Sequence, residues 1–90
     1  MTILVDSAIW PAHGRLWAHL VSDSDLEELH EFAAAHGLPP RAFDLDHYDV
    51  PADMVDRLVA DGAVRVTGRE LVHRLAASGL RVSQRERRGL

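Results

Sequence analysis

The chain has no cysteine among its 90 residues, which excludes disulfides, cysteine-ligated zinc and a thiol nucleophile. No apolar run approaches the roughly 18 residues that cross a bilayer, so we expect no membrane span. The first six residues lack the basic start and long apolar stretch of a secretory signal. Together these absences predict a cytoplasmic protein from a reducing compartment.

Lysine is also absent, so all ten basic side chains are arginines. Residues 1–60 carry eleven acidic residues against three arginines, whereas residues 61–90 carry seven arginines against three acids. An arginine-rich end can attract phosphate backbones, but the net charge of −4 disfavours nucleic acid as a partner. We expect residues 83–90 to form a flexible, solvated tail.

Apolar periodicity and capping residues predict alternating strands and helices. Residues 2–5 form a short apolar run, typical of a strand buried on both faces. Ser24 and Glu27 have the spacing of a capping box, which opens a helix over residues 25–36 that Gly37 ends. The further predicted elements are strands over residues 42–48 and 63–66 and helices over residues 51–61 and 68–78. Residues 7–22 show no clean periodicity, although residues 16–21 could form another strand, and residues 80–82 could form an edge strand.

This order predicts one α/β domain over residues 1–82. Strands joined by helices run parallel, so we expect a small three-layer sandwich: a mainly parallel sheet of three or four strands, in the order 2-1-3, with helices on its faces. In such sheets a ligand binds beyond the carboxyl ends of the strands, where the strand order reverses. That edge would collect the strand-end residues and the start of each helix.

Acidic and imidazole side chains are predicted to gather at this edge. Asp6, Asp23 and Asp49 are candidate ligands of Mg²⁺ or Mn²⁺, and His19 and His47 are candidate proton carriers. Arg15 could bind a phosphate oxygen. The same residue types also have structural interpretations, since aspartates cap helices and histidines are often hydrogen-bonded in half-buried positions. Trp10 and Trp17 could stack on nucleic-acid bases, but packing in the core or in a lid is favoured.

Several segments resemble a bacterial family called domain of unknown function 4031. They are RLWAHLVSD (15–23), ELHEFA (28–33), HYDVP (47–51) and GAV (62–64). The resemblance implies a cytoplasmic bacterial or phage-type protein and no particular activity. It adds Trp17, His30 and Tyr48 as candidate binding residues, because they match the family's pattern together with the acids and histidines named above.

A second resemblance is local. The segment ILVDSAIW (3–10) is similar to the opening of PIN-domain ribonucleases, whose first strand ends in a metal-binding aspartate. By this resemblance Asp6 would hold a metal ion.

Two functions of different classes follow as hypotheses. The first is a metal-assisted hydrolase acting on a phosphate-bearing substrate, a nucleotide or a nucleic acid, at the carboxyl edge of the sheet. The second is a noncatalytic binding or adaptor module that covers its free sheet edges by forming a homo-oligomer or by docking to a fused or partner enzyme.

Overall fold

A computed structural model describes residues 2–82, which form a mixed sheet of six strands with three α-helices. In chain order the strands are β1 (Ile3–Val5), β2 (Trp10–Ala12), β3 (Arg15–Ser22), β4 (Phe43–Asp44), β5 (His47–Pro51) and β6 (Val64–Arg65). The helices are α1 (Leu26–Ala35), α2 (Val55–Ala60) and α3 (Gly68–Ser78), with short 3-10 helices at Pro40–Ala42 and Ala52–Met54.

The predicted, mainly parallel sheet of three or four strands with the order 2-1-3 is wrong. The strand order is β4-β5-β3-β1-β6, with β2 beside β3. The β1–β3, β2–β3, β3–β5 and β4–β5 pairs are all antiparallel, and among residues 2–82 the β1–β6 pair alone is parallel. As a result, β3 occupies the position beside β1 that was predicted for the strand over residues 42–48.

A tight turn in the poorly patterned segment places β3 there. His13 and Gly14 connect β2 to β3 and both have positive φ, 51° and 77°. Two consecutive residues of positive φ define the type I′ turn that best matches the twist of a two-stranded hairpin. The usual sequence for this turn is Asn-Gly, and His-Gly is not typical of it, so the hairpin is difficult to predict from the sequence.

The predicted strand over residues 42–48 is a second hairpin. Leu45 has a φ of 61°, and the Asp46 backbone N–H donates to the Asp44 carbonyl at 2.6 Å, which reverses the chain between β4 and β5. Pro51 is then the last residue of β5 and not the first turn of a helix. His47 consequently begins a strand, and it lies on the same face as Asp49 two residues later.

The helices lie close to their predicted positions. The α1 cap is one residue later than predicted, because the Asp25 carboxylate, and not Ser24, accepts the Glu28 N–H at 2.7 Å. Helix α3 begins as predicted, with Thr67 Oγ1 accepting the Glu70 N–H at 3.1 Å. It ends at Gly79, whose φ of 84° would strain any residue with a Cβ.

Helices pack on both faces of the sheet but cover them unequally. On one face, side chains of α1 and α2 such as Leu29 and Leu58 join Leu20 of β3 in the larger apolar cluster. On the other face, Leu71 and Leu75 of α3 pack against Leu4 and Val21. Beyond this second cluster, the α3 face of the sheet carries the polar side chains of the candidate site.

The chain after α3 crosses towards the β4–β5 turn. Residues 80–82 do not form the predicted edge strand, and the Val82 backbone N–H instead donates to the Asp46 carboxylate at 2.8 Å. The predicted arginine-rich tail, residues 83–90, lies outside the described residues. Within residues 2–82, no helix has the length and apolar character that a membrane crossing requires.

Candidate functional site

Three polar residues form a row across neighbouring strands on the α3 face of the sheet. Asp6 directly follows β1 and donates its backbone N–H to the His19 carbonyl at 3.2 Å. The β3–β5 register pairs His19 with Asp49. Because directly paired residues of antiparallel strands project to the same face, the row places a carboxylate on each side of the His19 imidazole.

Asp6 holds His19 through both its backbone and its ring. Asp6 Oδ1 accepts the His19 backbone N–H at 2.6 Å, and Oδ2 lies 2.9 Å from ring atom Nδ1. The hydrogen bond to Asp6 raises the pKa of the His19 imidazole above its ordinary value, although partial burial opposes this effect. The Trp10 ring stacks on the imidazole, with centroids 5.7 Å apart and planes 17° apart. With Nδ1 engaged, Nε2 is the ring nitrogen that can bind a ligand.

Asp46 holds the His47 ring through a single oxygen. The Asp46 side chain is fully buried, and its Oδ1 lies 2.7 Å from His47 Nδ1. Its Oδ2 accepts the Val82 N–H and lies 3.4 Å from the Arg81 guanidinium. Burial disfavours the charged carboxylate, but the hydrogen bonds from His47 and Val82 outweigh it and lower the pKa of Asp46. A carboxylate that fixes Nδ1 and leaves Nε2 for an ion is the usual companion of a metal-binding histidine.

The two histidines converge with Asp49. One potential ligand atom each from His19, His47 and Asp49 lies within 4.8 Å of the others. Asp49 Oδ1 is 3.1 Å from His47 Nε2, yet it is buried and has no hydrogen-bond partner among residues 2–82. A buried carboxylate oxygen without a partner is costly, and a cation between the three side chains would satisfy it.

The cluster suits a transition metal ion better than Mg²⁺. Zinc binds imidazole nitrogen and carboxylate oxygen at about 2.0–2.2 Å, which separates neighbouring ligand atoms by about 3–4 Å. The candidate ligand atoms of His19, His47 and Asp49 lie within 4.8 Å of one another, so small side-chain movements would bring them to binding distances. Imidazole ligands favour Zn²⁺, Fe²⁺ and similar ions, whereas Mg²⁺ prefers oxygen ligands and water.

The cluster opens into a cavity of about 440 Å³ between the sheet and α3. The first turn of α3 reaches this cavity at Gly68, and Leu71, Val72 and Leu75 supply an apolar wall. Three carboxylates, those of Asp6, Asp44 and Asp49, line it with a single described guanidinium, that of Arg81. The predominance of negative charge favours a cation at the base of the cavity.

Of the predicted site residues, Asp6, His19, His47 and Asp49 are together, but Asp23 is not with them. Because β3 runs antiparallel to β1, Asp23 lies beside Thr2 at the opposite end of β1. Its carboxylate accepts the Thr2 backbone N–H at 2.9 Å and pairs with Arg74 of α3 at 2.7 Å. Asp23 therefore ties the first strand to the last helix.

We expect Asp23→Asn to lower the free energy of unfolding at pH 7 by about 1–2 kcal/mol, because it removes a charge-assisted hydrogen bond to Arg74. Burial opposes ionisation of Asp23, but hydrogen bonds from Thr2, Ser24 and Arg74 outweigh it and lower its pKa. A lowered pKa stabilises the fold above the unfolded-state pKa of about 3.9, and this contribution is lost as the pH falls through the folded-state pKa. Urea unfolding at several pH values should therefore show the difference between variant and wild type shrinking below about pH 4.

The matched control is Asp25→Asn, which removes a charge two residues away but keeps an oxygen that can cap α1. We expect this variant to retain wild-type stability within about 0.5 kcal/mol. A pH-independent loss in Asp23→Asn would contradict the assigned ion pair.

Arg15 and Trp17 also lie away from the cluster. The Arg15 guanidinium is 3.8 Å from the exposed Asp53 carboxylate and 5.7 Å from the centre of the Trp17 ring. The Trp17 indole N–H donates to the Ala12 carbonyl at 2.9 Å. The described guanidinium at the cavity is instead that of Arg81, which was not among the predicted site residues.

His30 and Tyr48 form a pair on the opposite face of the sheet. His30 Nδ1 lies 2.6 Å from the Tyr48 hydroxyl oxygen, and both rings contact Phe43. Tyr48 pairs with Leu20 in the β3–β5 register and belongs to the larger apolar cluster, where burial raises its pKa. The pair connects α1 to the sheet and does not reach His19 or Asp49.

Two residues that complete the site, Asp46 and Trp10, were not among the predicted site residues, although Asp46 was expected at the same edge of the sheet. Asp46 follows a leucine of positive φ in a tight turn, so its burial depends on the chain crossing at residues 80–82. Trp10 contacts His19 because the β2–β3 hairpin pairs it with Trp17, two residues before His19. Both placements follow from tertiary contacts that local patterning does not encode.

The fold and the site define a small mixed α/β protein whose sheet carries a His–Asp cluster beside its last helix. The chain belongs to the family described as protein of unknown function (DUF4031), which matches residues 3–78 and confirms the resemblance seen in the sequence. Comparison with curated proteins and with solved structures gives no match. The local similarity of residues 3–10 to PIN-domain ribonucleases stays a prediction.

Proposed function

We propose that His19, His47 and Asp49 bind a divalent transition metal ion such as Zn²⁺, and that the ion serves hydrolysis of a phosphate-bearing substrate in the cavity beside α3. The observation that carries this proposal is the convergence of two imidazoles, each fixed at Nδ1 by a carboxylate, on a buried Asp49 oxygen without a hydrogen-bond partner among the described residues. Such an arrangement supplies three protein ligands and leaves coordination positions for water and substrate.

Each residue has a distinct part in this proposal. Asp6 and Asp46 orient the imidazoles, so they are positioning residues and not ligands. His19 and His47 would bind the ion through Nε2 and could not carry protons through the same atom, which changes their predicted role. When bound, the ion would act as a Lewis acid on a phosphoryl oxygen and activate water for attack on phosphorus.

The surroundings of the cluster support an anionic substrate only after an ion is bound. Without an ion, the carboxylates of Asp6, Asp44 and Asp49 would repel a phosphate. With an ion, Arg81 at the cavity wall and the first turn of α3 at Gly68 would add favourable charge for phosphate oxygens. A nucleotide or the end of a nucleic acid fits this requirement.

We expect the full chain loaded with Zn²⁺ or Mn²⁺ to hydrolyse a chromogenic phosphodiester, and a chelator to abolish the activity. Asp49→Asn should lower kcat/KM by about 100-fold or more, because several kcal/mol of charge stabilisation at the transition state are lost with the ion. Absorbance of the released nitrophenolate gives the hydrolysis rate of the wild type, with and without chelator, and of Asp49→Asn.

The matched control is Asp53→Asn, which removes an exposed carboxylate outside the cavity and should keep kcat/KM within about twofold. Hydrolysis that persists in Asp49→Asn or in excess chelator would contradict the proposal.

The exposed apolar side chains of the β2–β3 hairpin favour a second candidate, an adaptor module. Ile9, which directly precedes β2, is 79% exposed and Leu16 of β3 is 46% exposed, so this region presents two large apolar side chains to solvent. The outer strands β4 and β6 have only two residues each, so exposed sheet edges add little to this candidate. An adaptor would bind a homo-oligomeric or enzyme partner through the hairpin and turn over no substrate, so the activity measurement separates the two candidates.

A further inference from the structure

A second cavity adjoins the metal cluster. It has a volume of about 510 Å³ and lies between the β2–β3 hairpin and the segment that links α1 to β4. Trp10 and Asp49 line both this cavity and the cavity beside α3. The position proposed for the ion therefore lies where the two cavities meet, and one ligand could occupy both.

Aromatic and apolar side chains form most of the wall of the second cavity. Trp10 and Trp17 are directly paired across β2 and β3, so both indoles lie on one face. Trp17 is fixed by the hydrogen bond from its indole N–H to Ala12, and Trp10 by stacking on His19. Leu38 and Met54 add apolar surface to the same cavity. The wall thus offers indole surface that is already held in place before a ligand arrives.

The aromatic wall is also exposed enough to bind a ring. Trp10 keeps 43% of its surface exposed although it stacks on His19. Stacking of a nucleobase on an aromatic side chain contributes about 1–3 kcal/mol per base. The volume lies in the range of about 300–1,000 Å³ that is usual for small-molecule sites. The exposed Arg41 guanidinium at this cavity adds hydrogen-bond donors for carbonyl groups of a base.

We propose that the second cavity binds the nucleobase of a mononucleotide-sized substrate, whose phosphate then reaches the ion held by His19, His47 and Asp49. The placement of the phosphate rests on the proposed function, whereas binding of the base does not. Two adjoining cavities of limited volume fit a single nucleotide better than a long strand, and the acidic charge of residues 1–60 also disfavours a polyanion.

Tryptophan fluorescence can test this proposal directly, because Trp10 and Trp17 are the only tryptophans of the sequence. Metal-free full-length protein is titrated with adenosine and, separately, with ribose 5-phosphate. We expect adenosine to quench the fluorescence saturably and ribose 5-phosphate to have no effect. In the presence of Zn²⁺, AMP should bind at least about 10-fold more tightly than adenosine, since the phosphate then gains the ion as a partner.

Variants separate base stacking from general effects on the fold. Trp10→Ala should weaken adenosine binding by about 10-fold or more, and Trp10→Phe should restore most of it, because a phenyl ring can still stack. Leu16→Ala removes an equally exposed apolar side chain of the same hairpin that lines neither cavity, and it should bind adenosine like the wild type.

The outcomes distinguish the two proposals. If adenosine binds without an ion and Zn²⁺ adds nothing for AMP, the base site stands and the proposed function fails. If Zn²⁺ promotes binding of ribose 5-phosphate but adenosine does not bind, the proposed function stands and the base site is overturned. Equal adenosine affinity in Trp10→Ala and wild type would also overturn the base site.

Discussion

Zn²⁺ is expected to raise the Tm of the metal-free chain by about 10 °C or more. An ion that binds the folded chain alone stabilises it by about 2.7 kcal/mol when its free concentration is about 100 times its Kd. In a domain of this size, each kcal/mol shifts the Tm by about 4–8 °C. Thermal unfolding followed by circular dichroism, with and without a fixed excess of Zn²⁺ over chelator, measures the shift.

Variants of the cluster should remove this effect. His47→Ala deletes one of three proposed ligands and Asp49→Asn replaces the only charged one with a neutral amide, so the Zn²⁺-dependent shift should fall below about 2 °C in each variant. His73→Ala is the matched control, because His73 is exposed on α3 and lines neither cavity. An undiminished shift in His47→Ala would show that the ion binds elsewhere, and the absence of a shift with Zn²⁺ and Mn²⁺ would refute the metal site.

The Zn²⁺-dependent Tm shift should increase with pH. Metal binds the neutral imidazole, so protons compete with the ion. The hydrogen bond to Asp6 raises the pKa of His19, which extends this competition to higher pH than for an ordinary histidine. We therefore expect the Zn²⁺-dependent Tm shift to be larger at pH 8 than at pH 6.

Asp46→Asn should lower the free energy of unfolding by about 2–4 kcal/mol, which is a large effect for a single polar substitution. The fully buried Asp46 carboxylate accepts from His47 on one oxygen and from Val82 on the other. An asparagine can accept from Val82 with its oxygen, but its neutral N–H₂ group then faces the His47 ring, so the charge-assisted hydrogen bond to the imidazole and the attraction to Arg81 are lost. Urea unfolding of the metal-free chain gives the free energy directly.

A second readout separates positioning from simple destabilisation. At a temperature where Asp46→Asn is folded, the variant should bind Zn²⁺ about 10–100 times more weakly than the wild type. The reason is that the Asp46 carboxylate fixes the orientation of the His47 ring. Asp53→Asn, the exposed counterpart, should change stability by less than about 0.5 kcal/mol and leave the affinity unaltered. Wild-type stability in Asp46→Asn would mean that the contacts with His47 and Val82 do not form.

Local signals in the sequence located α1 and α3, placed the start of α2 four residues too early, and were insufficient for the sheet. Capping residues and glycines act on backbone groups within a few residues of themselves. For this reason Thr67 and Gly79 correctly predict the two ends of α3. Strand order depends on contacts between distant segments and on turn chemistry. One unrecognised His13–Gly14 turn inserted β3 beside β1 and converted the expected parallel sheet into a largely antiparallel one.

The candidate site was partly predictable for a related reason. Asp6 ends β1 in the predicted and the observed sheet alike, and β3 and β5 bring His19 and Asp49 to the same row. Asp23 follows His19 by only four residues, but the antiparallel direction of β3 carries it to the other end of β1. Asp46 and Arg81 meet only through the crossing of residues 80–82, for which no short-range pattern exists.

The Asp6 carboxylate stabilises both the pairing of β1 with β3 and the orientation of the His19 ring. One oxygen accepts the backbone N–H of His19, while the other restrains its imidazole. Slippage between β1 and β3 would therefore release the ring, so the position of the His19 imidazole depends on the correct register of these two strands. Because β1 has only three residues and lies between β3 and β6, we expect a ligand that binds the His19 ring to stabilise this strand as well.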